Sequence, residues 1–191
     1  MVHLWTFFRD LLYGLFRNNS SLIALKARQL FLASDAFIDT NVEIANPSHL
    51  KMGKGCALYH GVCINNWEGE VSFGTDSHLG AQCYVNVCHG RLSVGSHVAV
   101  GPGTRIIVYS NHYIAGAQVT DTKICEDITI GDNVFIGANC VILPGAYIED
   151  NVVIGAGSLV KGRLQSDGIY AGVPCRLLKS GWFTGTAGSR T

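Results

Sequence analysis

Seven histidines and seven cysteines are the residues of this 191-residue chain best suited to proton transfer, nucleophilic attack or metal binding. The cysteines point away from a metal or disulfide framework: none forms a CxxC pair, and seven is an odd count. Cys56, Cys83 and Cys140 share a repeat position that elsewhere holds small side chains, so they read as small core residues, in a reducing, cytoplasmic compartment. His112 stands apart from the other histidines in its setting, the long and partly polar stretch IVYSNHYIAGAQVTDTKICED over 107–127. A neutral imidazole near physiological pH suits removal of a proton from a weak nucleophile, provided that its second nitrogen is held by a carbonyl. Asn86 is a second candidate. It follows Val85 at a position usually taken by glycine, and it reads either as a turn residue or as a hydrogen-bonding group. His89 lies three residues further on.

These residues must be positioned by a repeat. From Ile130 the chain reads IGDNVF, IGANCV, ILPGAY, IEDNVV, IGAGSL, VKGRLQ, with an aliphatic residue every sixth position at 130, 136, 142, 148, 154 and 160. Earlier runs carry the same period with breaks between them: Ile38 and Ile44; Met52, Leu58 and Ile64; Phe73, Leu79 and Val85; Val94, Val100 and Ile106. The fifth position of each unit is small or β-branched, as at Val42, Cys56, Val62, Ser77, Cys83, Val98, Thr104, Val134, Cys140, Ala146, Val152 and Ser158. His89 falls on a fifth position too. A period of six cannot keep one face of a 3.6-residue helix. It suits a short strand plus a turn, three units closing a triangular coil whose inward residues stack on the next coil about 4.8 Å away. No coil buries its own inner face, so the units are stable only as a stack, a parallel β-helix of about six coils between residues 38 and 165 in a domain spanning 34–168. The segment 107–127 interrupts two runs that keep their register, and an insertion of that kind is usually functional.

Residues 1–33 depart from the repeat. Leu4, Phe7, Phe8, Leu11, Leu12, Leu15 and Phe16 follow the spacing of one apolar helix face, and Asn18-Asn19-Ser20 offers a break and cap before a second helix to about Leu32. Two readings stand open: the helices cover the open end of the stack, or they lie peripherally on the inner face of a membrane. Arg9, Asp10 and Arg17 interrupt the apolar run, which argues against a signal peptide or a span of roughly 20 residues. The formal net charge is zero, from 14 basic and 14 acidic residues, and speaks against nucleic acid as a partner. The 48% hydrophobic content suffices for one substantial core.

The run from Gly80 to Lys179 resembles the hexapeptide-repeat acetyltransferases, especially the galactoside and maltose O-acetyltransferase branch. The resemblance is carried by the repeats, Tyr84-Val85-Asn86, His112, the run ITIGDNVFIGANCVILPG at 128–145 and the tail YAGVPCRLLK at 170–179. It implies an all-β fold, a left-handed parallel β-helix with one extended loop, assembled as a homotrimer in which His112 faces the donor groove of a neighbouring copy. It implies acetyl-CoA as donor and the hydroxyl of a sugar or surface-polysaccharide precursor as acceptor, with His112 as general base and Asn86 facing the acceptor. The family's acidic residue further on has no counterpart in Cys88-His89-Gly90-Arg91, which leaves His89 as the further acceptor-side candidate. Phe135, Ala138 and Ala156 would line the pantetheine groove. Lys161, Arg176 and Lys179 would meet the cofactor phosphates, although the family's Thr-Lys is replaced here by Lys161-Gly162-Arg163. An amino group on a nucleotide-linked sugar is the alternative acceptor, and a non-catalytic scaffold is a third class. Gamma-type carbonic anhydrases share such a fold and bind zinc through two histidines five apart with Gly after the first. No pair here has that spacing, so no metal is expected.

Overall fold

Each six-residue unit folds as a strand of two to four residues followed by a sharp corner. The structure, a computed structural model, describes residues 35–183, and the helices expected over 1–33 lie outside that range. Three parallel faces form a prism. The first face runs through Phe37–Ile38, Ala57–Leu58, His78–Leu79, Ala99–Val100, Phe135–Ile136, Val153–Ile154 and Gly168–Ala171. The second holds Glu43–Ile44, Cys63–Asn65, Tyr84–Asn86, Arg105–Ile107, Val141–Ile142 and Leu159–Val160. The third holds Leu50–Met52, Glu70–Phe73, Arg91–Val94, Ile128–Ile130, Tyr147–Ile148 and Arg163–Leu164. The chain visits the faces in rotation, so strands adjacent in a face come from successive coils and pair in parallel.

The aliphatic repeat positions form the core. Ile38, Leu58, Leu79, Val100, Ile136 and Ile154 are 0% exposed and stack down the first face. The fifth-position residues also point inward, and many of them are more than fillers. Cys56 Sγ donates to the Gly74 carbonyl (2.9 Å), Ser77 Oγ to Gly95 (2.8 Å), Cys83 Sγ to Gly101 (3.2 Å), Thr104 Oγ1 to Gly137 (3.0 Å) and Cys140 Sγ to Gly155 (3.3 Å). Each of these side chains gives a corner carbonyl a hydrogen-bond partner, so a small residue with one donor suits the position better than alanine. Burial pushes the Cys83 thiol up to about 11, so it stays protonated and can donate. Glycine enters where coils touch: a Cβ on Gly101 would lie 2.5 Å from the Ala138 nitrogen, and one on Gly137 would lie 2.4 Å from that of Ala156.

Coil length changes along the stack, and always at one corner. Leu58 pairs with Leu79 and Leu79 with Val100, each 21 residues on, whereas Ile136 pairs with Ile154, 18 residues on. The extra residues sit between the second and third faces, where Asn66, Val87 and Val108 turn inward and are fully buried. Asn66 fits because it reproduces a strand pairing with its side chain, accepting from the Asn46 N–H (3.0 Å) and donating to the Asn46 carbonyl (2.9 Å). The repeat count that puts His89 at an inward fifth position is corrected here: Val87 takes the interior, and the His89 side chain is half exposed.

At the far end the tail closes the stack. Tyr170 and Cys175 are buried, and the Cys175 N–H donates to the Leu159 carbonyl (2.8 Å). Arg176–Ser180 then pairs antiparallel with Gly168–Ala171 and covers the edge of the first face. Among the described residues, no helix is long and apolar enough to cross a membrane.

Candidate active site

The long insertion leaves the widened corner in the fourth coil. It is a two-stranded antiparallel hairpin, Tyr109–Asn111 against Lys123–Cys125, with a loop at its tip. The His112 N–H donates to the Thr122 carbonyl (3.1 Å), extending the ladder by one pair, and the Thr122 hydroxyl bonds back to the His112 carbonyl. His112 is thus fixed through its backbone while its ring is exposed at the end of the hairpin. No residue among those described holds the ring, so the carbonyl expected on its second nitrogen is not supplied by the described residues. Side chains alternate along a strand. Ser110 and His112 therefore occupy one face of the hairpin, and Tyr109 and Asn111 the other, where Lys123 Nζ reaches Asn111 Oδ1 at 2.9 Å.

Asn86 lies at the root of this hairpin. Its Nδ2 donates to the Tyr109 carbonyl (3.0 Å), and its Oδ1 accepts from Asn65 Nδ2 (3.3 Å). Part of its hydrogen-bonding capacity is therefore spent on the protein. His89 packs its ring edge-on against the Tyr109 ring at 5.4 Å, and its Nδ1 lies 2.8 Å from Glu68 Oε2. Glu68 escaped the sequence reading because it lies 21 residues before His89. Only the register between successive coils brings them together, with Asn65 opposite Asn86.

The donor-side residues divide between corners. Ala138 and Ala156 stack in successive coils at the corner between the first and second faces, where the Gly157 N–H donates to the Ala138 carbonyl (2.8 Å). Phe135 stands beside them on the outer surface of the first face, half exposed. Arg176 pairs with Ala171 near the same corner, although its Nη1 turns to the Cys175 carbonyl (3.0 Å). Lys179 pairs with Ile169 at the other end of that strand, and Lys161 is at the corner between the second and third faces. The structure thus groups Phe135, Ala138, Ala156 and Arg176, and sets both lysines apart. Small side chains along an outer edge with a neighbouring cation can take an extended, amide-bearing chain with an anionic end. Among the described residues, no three His, Cys, Asp or Glu side chains gather as metal ligands.

The fold and its edges define a hexapeptide-repeat β-helix with one histidine-bearing hairpin. The family described as bacterial transferase hexapeptide (six repeats) matches residues 127–162. The chain is 34% identical over 113 residues to the galactoside O-acetyltransferase of Escherichia coli K12, covering 56% of each protein. It is 32% identical over 137 residues to that of Lactococcus lactis, covering 72% of this chain and 66% of the relative. The alignments therefore span less than two thirds of these relatives' own lengths. The crystal structure of AntD, an N-acyltransferase from Bacillus cereus in complex with dTDP and 3-hydroxybutyryl-CoA, superposes with a TM-score of 0.74 at 23% identity, covering 85% of this chain and 90% of that one. That likeness shows the fold. Residues 127–162 carry the repeat of the hexapeptide transferase family, and the chain is similar to galactoside O-acetyltransferases over 113 to 137 residues.

Proposed function

We propose that the protein transfers the acetyl group of acetyl-CoA to a hydroxyl of a sugar or of a surface-polysaccharide precursor, at sites shared between the copies of a homotrimer. The observation that carries the proposal is the exposed His112 on a hairpin rooted where the repeat is interrupted, in a chain similar to galactoside O-acetyltransferases. The pantetheine arm lies along Ala138 and Ala156 beside Phe135, and Arg176, whose strand pairs with Ala171 near that corner, meets the phosphates; Lys161 and Lys179 serve only a more extended phosphate group. All seven cysteines are free thiols, which supports a reducing, cytoplasmic setting.

A hydroxyl is a weak nucleophile until its proton is removed. His112, unprotonated, takes that proton as the oxygen attacks the thioester carbonyl. The tetrahedral oxyanion collapses with cleavage of the carbon–sulfur bond, and the imidazolium returns the proton to the departing thiolate. No acetyl-enzyme is formed. The test is thiol release from acetyl-CoA over a panel of sugars, amino sugars and sugar nucleotides. His112→Ala should lower kcat by roughly 10²–10⁴-fold, and near-wild-type turnover in that variant rejects the assignment. Turnover confined to amino sugars would replace the hydroxyl by an amine as acceptor. The absence of any thermal stabilisation by acetyl-CoA or CoA would point to a scaffold.

A further inference from the structure

The Glu68–His89 pair lies on the face of the hairpin opposite His112, against a residue that no catalytic role claims. We infer that Glu68 and His89 are positioning residues which, through the Tyr109 ring, fix the root of the hairpin and so the place of His112. This inference rests on His112 being the base.

Two independent contacts converge on Tyr109, the first residue of the hairpin. Its carbonyl accepts from Asn86 Nδ2 (3.0 Å), and its ring meets the edge of the His89 imidazole at 5.4 Å. His89 is steadied in turn by Glu68 Oε2, 2.8 Å from Nδ1. A carboxylate on Nδ1 selects the tautomer that carries its proton there and stops the ring from rotating. The chain leading to the clamp is short: Asn65 and Asn86 hold one another at 3.3 Å, and Glu68 and His89 follow them by three residues in successive coils. The returning strand is held just past its end, where the Glu126 N–H donates to the Val108 carbonyl (3.1 Å) and Asp127 Oδ1 accepts from the Arg91 N–H (2.8 Å), so Tyr109 is the hold on the outgoing strand. The hairpin's tip residues 111–121 are exposed, and its two strands pair only with each other. The strand alternation that puts Tyr109 on one side and His112 on the other means that His89 acts on His112 through the backbone, not by contact. A catalytic group displaced by about 1 Å can lose on the order of 10²-fold in rate, so anchoring the root of a two-stranded arm bears directly on turnover.

The test combines kinetics with amide hydrogen exchange across 109–125 in the intact protein. Glu68→Ala and Tyr109→Ala should each lower kcat by about 10–100-fold, leave the KM for both substrates within about twofold, and speed exchange in the hairpin while the coils keep their protection. Tyr109→Phe keeps the ring and should keep the rate. Glu68→Gln keeps an acceptor for Nδ1–H and should recover most of it. The double variant Glu68→Ala/Tyr109→Ala should be no worse than the poorer single one, as expected of one coupled unit. A rise in the acceptor KM with kcat and exchange unchanged would make the pair an acceptor contact and overturn the inference. Wild-type exchange in both alanine variants would do the same. Failure of the His112 assignment is told apart, because it leaves the exchange result standing and removes only the kinetic one.

Discussion

His112→Ala and Ala156→Trp should each silence the protein alone and restore one another when the two are assembled together. The reason is where the chain places its two half-sites. Ala138 and Ala156 lie at the corner between the first and second faces, and the hairpin leaves from the corner between the second and third. One whole face of the prism separates these two corners, and His112 stands one residue beyond the strand Tyr109–Asn111 that leaves the second of them. In the proposed trimer a hairpin serves the groove of a neighbouring copy. In a three-fold ring assembled at random from equal amounts of the two variants, a working site needs an intact hairpin from one copy and an intact groove from the next. Each condition holds half the time, so about one site in four should turn over. Co-expression with two different tags, sequential purification of mixed rings and thiol release from acetyl-CoA give the number directly. Selecting rings that carry both tags removes the homogeneous assemblies and raises the expected recovery to about one third. Recovery indistinguishable from zero in rings shown to be mixed would refute the division and put both half-sites within one copy.

Two further predictions concern the prism itself. Thr104→Val keeps the shape of a fully buried side chain but removes the hydroxyl that donates to the Gly137 carbonyl (3.0 Å) and accepts from the Cys140 N–H (3.2 Å). Two buried backbone groups lose their partners at roughly 1–3 kcal/mol each, so the melting temperature at fixed protein concentration should fall by roughly 5–15 °C. A shift below about 2 °C would mean that the corner carbonyls do not depend on these side chains. Burial holds the His78 imidazole below its ordinary value of 6.5, packed edge-on against Tyr59 at 5.6 Å. Its folded pKa is the depressed one, so the unfolded chain takes up the proton first as the pH drops. The associated stability is complete above about 6.5 and declines as the pH falls toward the folded value. His78→Phe should therefore lose less stability than the wild type between pH 7 and pH 5, and equal losses in thermal melts would contradict this.

The architecture was largely legible in the sequence, because a period of six with an inward aliphatic residue leaves the chain few ways to bury its core. The aliphatic and fifth-position residues named from the spacing are inside, with His89 the exception. Less visible was what the fifth position demands. Cys56, Ser77, Cys83, Thr104 and Cys140 share a small volume, which the sequence displays, and also a donor aimed at a carbonyl 15 to 33 residues away, which it does not. The hairpin was recognisable as an interruption, and Asn86 and His112 as polar residues beside it. Their connection through the Tyr109 carbonyl depends on side-chain direction at a corner and has no periodic signature.

The misplacement of His89 has the same origin and explains why the site lies where it does. Counting by six from Val85 assumes a corner of fixed length, but this corner carries three more residues in the second and third coils, with an inward Asn66 or Val87 filling the added space. Such a filler keeps the coils stacked while the outer part of the corner moves away from the axis, and Val108 does the same beneath the hairpin. The widening that spoils the count is therefore also what holds Glu68 and His89 out beside Tyr109, 2.8 Å from each other and clear of the core. A corner of ordinary length would have turned the fifth residue inward and left the hairpin without that support. The irregularity of the repeat and the positioning of His112 are, on this reading, one structural feature.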